Sequence, residues 1–347
     1  LNPNTYPALI MGLTLGPIMT ISSHHWVMAW CGLEINSLSM IPLIAKTHHP
    51  RAIEAAIKYF LSQATASYIL LLSTVVNAWD QGQWTILLLT DDTSRTAMTV
   101  AMAIKLALAP FHLWFPEVLQ GSTTTIALLL TTWQKLAPVA ILIQCTQNLN
   151  STMLVLLGIL SAIIGGWGGL NQTQLRKMLA FSSIAHMGWL ATMITFSTNL
   201  ALLTFYVYII MTSTMFLMIN MLKTNSMSTL MTSWMKLPSL NMLMMLTLMS
   251  LAGLPPLTGF SPKWLILQEL TKQHLTTTAT LMALTSLLSL FFYLRISYYA
   301  TITLPPNTTN SHQLWRYKSM KPTTHLATFT TLTTLSLPLT PTLMTLT

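Results

Sequence analysis

Apolar runs of about 20 residues recur from one end of this chain to the other, and they limit its fold more than any single motif. A helix of that length rises about 30 Å, the thickness of a bilayer's hydrocarbon core. Such runs fall near 3–22, 25–45, 54–79, 94–118, 122–145, 151–170, 174–196, 198–223, 236–270, 275–301 and 324–345. They predict an all-α integral membrane protein of about eleven transmembrane helices. Only 7% of the 347 residues are charged, against roughly 25% in soluble domains. A water-soluble core of this size would lack the charges to cover its surface. Period-two alternation does not persist, and a barrel lumen needs more polar residues, so strands are not expected. The Thr-rich stretch 322–347 is compatible with helix, because a Thr hydroxyl can bond the preceding turn.

The net charge of +9 does not point to nucleic acid, since the cations form no single basic stripe with interleaved aromatics. They fall in alternate loops. Lys46 and Arg51, Arg176 and Lys177, Lys223 and Lys236, and Arg316, Lys318 and Lys321 follow the second, sixth, eighth and tenth runs. The opposite loops hold Asp80, Asp91 and Asp92, with Arg95 and Lys272. This positive-inside pattern places the N-terminus on the cytoplasm-like side and, for an odd number of crossings, the C-terminus across the membrane. The first run lacks a basic leader and a second follows at once, so no cleavable signal or transit peptide is expected. Cys31 and Cys145 lie in different runs and make no CxxC or Cys/His cluster; no metal or iron–sulfur site is expected. The pairs His24-His25 and His48-His49 read as solvated loop histidines. The cluster GGWGG at 165–169 lacks phosphate-loop spacing and predicts close helix packing or a helix end.

Four charges stand inside apolar runs: Glu34 in WVMAWCGLEINSLSMI, Lys105 in AMAIKLALAPFHLWFPE, Lys135 in ALLLTTWQKLAPVAIL, and Lys263 after GLPPLTGFSP. Each costs about 3 kcal/mol at mid-bilayer, so the set costs about 12 kcal/mol, comparable with the net stability of a domain. Lys105 and Lys135 are too central to snorkel, and one carboxylate, Glu34, cannot neutralise three lysines. As a set these residues predict a proton path. Two charges about 10 Å apart interact by about 1.7 kcal/mol at an effective dielectric of 20, enough for one protonation to bias the next. His112 either extends the path from Lys105 or sits as a hydrogen-bonded core histidine, and His186 in AFSSIAHMGW carries the same two readings. Glu54 and Lys58 read as a local i, i+4 pair, while Glu117, Glu269 and Arg295 lie toward run ends, where interfacial or subunit contacts are expected.

Pro110 interrupts the fourth run, and Pro255-Pro256, flanked by Gly253 and Gly259, interrupt the ninth. Backbone groups freed at such breaks need protein or water partners, and broken helices often mark ion sites. Counting helices then divides the chain into a five-helix set at 1–148, a second, inverted five-helix set at 149–303, and a loop with an extra C-terminal helix at 304–347. The break falls in the fourth member of each set.

KLALAPFHLWFPE, QLRKMLAFSSIAHMGW and AGLPPLTGFSPKW together resemble the antiporter-like membrane subunits of respiratory complex I, over essentially the whole chain. The resemblance implies proton translocation coupled to NADH oxidation and ubiquinone reduction in other subunits. By motif position it makes Glu34 the buried glutamate, Lys105 the lysine of the first broken helix, Lys135 the central lysine and Lys263 the lysine beyond the second break. It implies no cofactor in this chain, with NADH, FMN, iron–sulfur clusters and ubiquinone in the assembled complex. The implied partners are other complex I membrane subunits, neighbouring antiporter-like ones among them, and lipid. Longer relatives carry extra N-terminal helices that this chain lacks, as in the shortened animal version. Leu1 where Met is usual and the Met- and Thr-rich composition resemble a mitochondrially encoded chain. That implies the mitochondrial inner membrane, with the N-terminus on the matrix side and the C-terminus on the intermembrane-space side. Two other readings use the same residues: a stand-alone cation/proton antiporter, and a structural subunit needed for assembly alone.

Overall fold

The computed structural model of the chain describes residues 5–235, 237–302 and 324–346. The loop cations Lys236, Arg316, Lys318 and Lys321 lie outside the described residues. All regular structure among the described residues is helical: α1 (Thr5–Ser22), α2 (Trp26–Ile44), α3 (Pro50–Gln81), α4 (Asp92–Leu106), α5 (Trp114–Gly121), α6 (Thr124–Thr131), α7 (Trp133–Gln144), α8 (Ser151–Gly169), α9 (Leu175–Met193), α10 (Thr198–Leu222), α11 (Met227–Met231), α12 (Pro238–Ala252), α13 (Phe260–Lys272), α14 (Thr276–Ile302), α15 (Thr324–Leu335) and α16 (Thr340–Leu346). Among the described residues, seven segments are long and apolar enough to cross a membrane: Thr5–Ser22, Trp26–Thr47, Pro50–Gln81, Thr124–Gln144, Ser151–Gly169, Thr198–Leu222 and Thr276–Thr301.

Large apolar side chains point outward, among them Leu72, Trp79, Leu113, Trp167 and Phe291, as suits a chain whose solvent is hydrocarbon. Hydroxyl residues inside the helices satisfy themselves locally. Thr20 donates to the Pro17 carbonyl, Ser73 to Leu70 and Thr212 to Tyr208. The same bond recurs at Thr330 and Thr333 in the Thr-rich C-terminal region, which is helical from Thr324. The loop histidines have structural work: Nδ1 of His25 accepts from the Val27 amide and Nδ1 of His49 from the Arg51 amide, capping α2 and α3.

The chain forms two compact units, residues 1–161 with 190–198, and residues 162–189 with 199–347. In the first, α1 and α2 meet backbone to backbone. A Cβ on Gly16 would stand 2.8 Å from the Gly32 carbonyl oxygen, and a Cβ on Gly32 would stand 2.8 Å from that of Gly16. Small residues permit this approach where dispersion replaces the hydrophobic effect. In the second unit, Gly165 of the GGWGG cluster packs against the α9 backbone, where its Cβ would lie 2.6 Å from the Ala185 amide.

The fifth run departs from expectation. It breaks at Thr132 (φ −110°, ψ −68°) into α6 and α7. The hydroxyls of Thr131 and Thr132 both bond the Leu128 carbonyl, at 3.0 and 2.7 Å, and the Thr132 amide takes the same oxygen at 3.1 Å. Side-chain bonds crowded onto one carbonyl are a recognised cause of helix bending. Gly16→Leu is expected to force α1 off α2 and cost about 1–3 kcal/mol, read as a lower melting temperature and less assembled protein, whereas Gly12→Ala, with a 3.1 Å contact to the Ser39 Cβ, should cost less.

Candidate functional site

The two proline-marked interruptions close in the same way. α4 ends at Leu106, and Ala107 takes a left-handed φ of 57°. Its amide bonds the Ala103 and Ile104 carbonyls, and the Leu108 amide bonds Ala103. α12 ends at Ala252, and Gly253 takes φ 86°. Its amide bonds Met249 and Ser250, and the Leu254 amide bonds Met249. Both are Schellman closures, which satisfy helix-end carbonyls that lipid cannot. The prolines therefore follow the stops; the helices end earlier, at a left-handed residue. Helix resumes at Trp114 in one unit and at Phe260 in the other.

In the first unit, Lys105 lies in the last turn of α4, 6% exposed, and Lys135 in the first turn of α7, 3% exposed. Lys105 makes no hydrogen bond or ion pair among the described residues; it meets the Glu34 carboxylate through space. Glu34 is half-buried on α2, less enclosed than its apolar surroundings in sequence imply, and its Oε2 accepts from the Ser37 hydroxyl at 3.3 Å. It also acts electrostatically on Tyr59 of α3. The Tyr59 hydroxyl donates to Gln134 Oε1 at 3.2 Å, and Gln134 Nε2 donates to Asn36 Oδ1 at 3.0 Å. A partly buried polar bridge thus joins Asn36 of α2 to Tyr59 of α3 through Gln134, the residue before Lys135 on α7. The Lys135 ammonium sits 4.8 Å from the centre of the Phe115 ring on α5, where a cation gains from the ring face. His112, in the interruption, is 8% exposed, and its Nδ1 has no hydrogen-bond partner among the described residues. No hydrogen bond joins it to Lys105.

In the second unit, Lys263 lies on α13 and its ammonium donates to the Ala252 carbonyl, the last of α12, at 2.9 Å. The lysine therefore reaches back across the interruption to cap the helix before it. Two glycines make room. A Cβ on Gly253 would lie 2.9 Å from the Lys263 ammonium, and one on Gly259 would lie 1.7 Å from the Ser250 carbonyl oxygen. The Thr258 hydroxyl ties the interruption to α15 through the Thr333 carbonyl at 2.7 Å. His186 on α9 holds the Ser182 carbonyl with Nδ1 at 2.7 Å. His186 and Lys263 line one cavity of about 20 Å³ with Thr204, Met211 and Gly259, room for about one water.

The structure thus brings Glu34 into electrostatic reach of Lys105, and His186 to the same cavity as Lys263. Asn36, Tyr59, Gln134 and Phe115 were not singled out from sequence; three of them are polar groups in apolar runs, a signal the charged residues overshadowed. Lys58 holds both Glu54 and Glu117, each at 2.5 Å, so the expected local pair is a triad on the exposed rim. Among the described residues, no three His, Cys, Asp or Glu side chains gather as a metal site.

Residues 23–289 match the family described as NADH:quinone oxidoreductase/Mrp antiporter, and residues 290–344 match that described as NADH dehydrogenase subunit 2 C-terminus. NADH-ubiquinone oxidoreductase chain 2 of Pelomedusa subrufa is 62% identical over 343 residues, 99% of each chain. A chain of respiratory complex I from Thermus thermophilus, solved with bound Aureothin, superimposes with a TM-score of 0.81 at 26% identity, over 97% of this chain and 76% of that one. A chain of the Mrp complex from Dietzia sp. shares the fold, with a TM-score of 0.78 at 17% identity over 98% of this chain and 74% of that one. With two family matches that together run from residue 23 to 344, the chain belongs to the NADH:quinone oxidoreductase/Mrp antiporter family of membrane proteins, in its NADH dehydrogenase subunit 2 branch.

Proposed function

We propose that this chain conducts protons as an antiporter-like core membrane subunit of respiratory complex I, driven by NADH oxidation and ubiquinone reduction in other subunits. NADH, FMN, iron–sulfur clusters and ubiquinone belong to those subunits, and this chain's partners are the neighbouring membrane subunits, other antiporter-like ones among them. It resides as a multi-pass protein in the mitochondrial inner membrane. Its N-terminus faces the matrix and its C-terminus the intermembrane space, a reading supported by the cations after α2 and the acids flanking the loop after α3. The chain divides into a five-helix repeat at 1–148, a second, inverted repeat at 149–303 and a loop with an extra C-terminal helix at 304–347, a reading supported by the matching closures at Ala107 and Gly253.

The observation that carries this function is Lys105: a buried amine at a helix interruption, faced only at a distance by a carboxylate. An amine so placed gains or loses its proton according to the charge of its surroundings. Glu34 acts as the distant counter-ion that sets the affinity of Lys105 for a proton. Lys135 passes the proton on, its ammonium steadied by Phe115 and its helix held to α2 and α3 by Gln134. His112 extends the path through its buried ring nitrogen. Lys263 gates exchange toward the far side or the next subunit, with His186 joined to it through one water.

Lys135→Met in the assembled complex is expected to remove most pumping per electron, measured as proton uptake against NADH oxidised in vesicles. Unchanged pumping with normal assembly rejects the role. Gln134→Leu leaves the Tyr59 hydroxyl and the Asn36 amide short of a partner at a cost of about 1–3 kcal/mol. It is expected to slow pumping about tenfold, with Gln134→Glu recovering part of the rate. Gly253→Ala should impair pumping by displacing the Lys263 ammonium, while Gly82→Ala should leave it intact. The latter position has φ 67° with nothing within 4 Å of the added carbon, so it carries only the backbone strain of about 1 kcal/mol.

A further inference from the structure

The second unit holds a cavity of about 940 Å³ that the proton path does not use. It is lined by Met245 and Met249 of α12, by Phe291, Leu294, Arg295 and Tyr298 of α14, and by Asn171. The volume lies at the upper end of the roughly 300–1,000 Å³ of ligand pockets. Arg295 is half-buried; its guanidinium donates to the Leu170 carbonyl at the end of α8 and lies 5.7 Å from the centre of the Tyr299 ring. It has no carboxylate partner among the described residues. The whole sequence explains why none is at hand: residues 118–347 carry eleven lysines and arginines and a single acid, Glu269, which pairs with Lys272 at 3.4 Å. Among the described residues, then, Arg295 meets a carbonyl and an aromatic ring but no neutralising carboxylate.

We propose that this groove is a binding site for an anionic phospholipid, its phosphate on Arg295 and its acyl chains along Met245, Met249 and Phe291. A guanidinium keeps donors for a phosphate after giving one to a carbonyl, and its planar fork suits phosphate oxygens. Flexible methionine walls adapt to acyl chains. Phe291 and Tyr298, 58% and 65% exposed, flank Arg295 on the face of α14 and continue the apolar surface around it. Basic pockets between membrane helices are a general form of anionic headgroup recognition.

The test uses the intact complex in phosphatidylcholine vesicles carrying a minor fraction of phosphatidylglycerol with a photoreactive acyl chain, the cross-links being mapped by peptide mass spectrometry. Phosphatidylglycerol is expected to label residues 245–249 and 291–294 about tenfold more than photoreactive phosphatidylcholine, the factor expected of one charge-assisted pair. Arg295→Gln is expected to remove that preference, and Arg295→Lys to restore part of it. On the unmodified chain, excess unlabelled phosphatidylglycerol should displace the label and excess phosphatidylcholine should not, which keeps the test decisive if the variants fail to assemble. Equal labelling by the two lipids, a preference that survives Arg295→Gln, or cross-links showing an acidic side chain of a neighbouring subunit seated on Arg295 would each overturn the proposal.

Discussion

Hydrocarbon offers no hydrogen bonds, and that single fact governs this structure. Each interruption of a helix must supply its own partners, and each cation drawn from water must find something polar within the protein. The chain meets both demands with the same local device. A left-handed residue turns the last amides of a helix back onto its carbonyls, at Ala107 and again at Gly253. A lysine is then placed where the backbone is already polar. Lys105 precedes its interruption by one turn or less; Lys263 follows its own and reaches back to the Ala252 carbonyl.

The two lysines are held differently, and the difference bears on the proposed proton path. Lys263 has a fixed acceptor and two glycines whose lack of a side chain makes its position possible. Lys105 has no fixed acceptor among the described residues, only the field of Glu34. A group held by a field responds to changes in charge nearby, whereas a group held by a short hydrogen bond must first break it. At an effective dielectric of about 20, couplings over about 10 Å are comparable with the energy of moving one charge through about 100 mV. Electrostatic control of this kind thus has a useful size without any ion pair.

Much of the fold was legible in advance. The apolar runs located helical stretches, and the prolines marked two of the interrupted runs, while the fifth and the eleventh, which divides at Leu337–Leu339, were not foreseen as broken. What the prolines did not reveal is where the helices stop, since Ala107 is an ordinary residue in an unusual conformation. The break at Thr132 was hidden for a related reason. Adjacent threonines bend a helix only when their hydroxyls turn inward to a carbonyl, and sequence does not record rotamers. At the site, the charged residues announced themselves by the cost of burying them. Asn36, Tyr59 and Gln134 did not, because a neutral polar group in an apolar run is common and its value depends on what it meets.

The sequence by itself determined that the chain is helical, that its solvent is lipid, and that a few ionisable groups lie where ionisation is costly. Those properties follow from composition and spacing, which act locally. Only the tertiary structure decided the partnerships: that Gln134 bridges Tyr59 and Asn36, that Phe115 covers Lys135, that His186 and Lys263 share a cavity with room for one water, and that Arg295 borders an apolar groove. These contacts join residues far apart in the chain. Their geometry is set by how helices pack, and one-dimensional order does not carry that information.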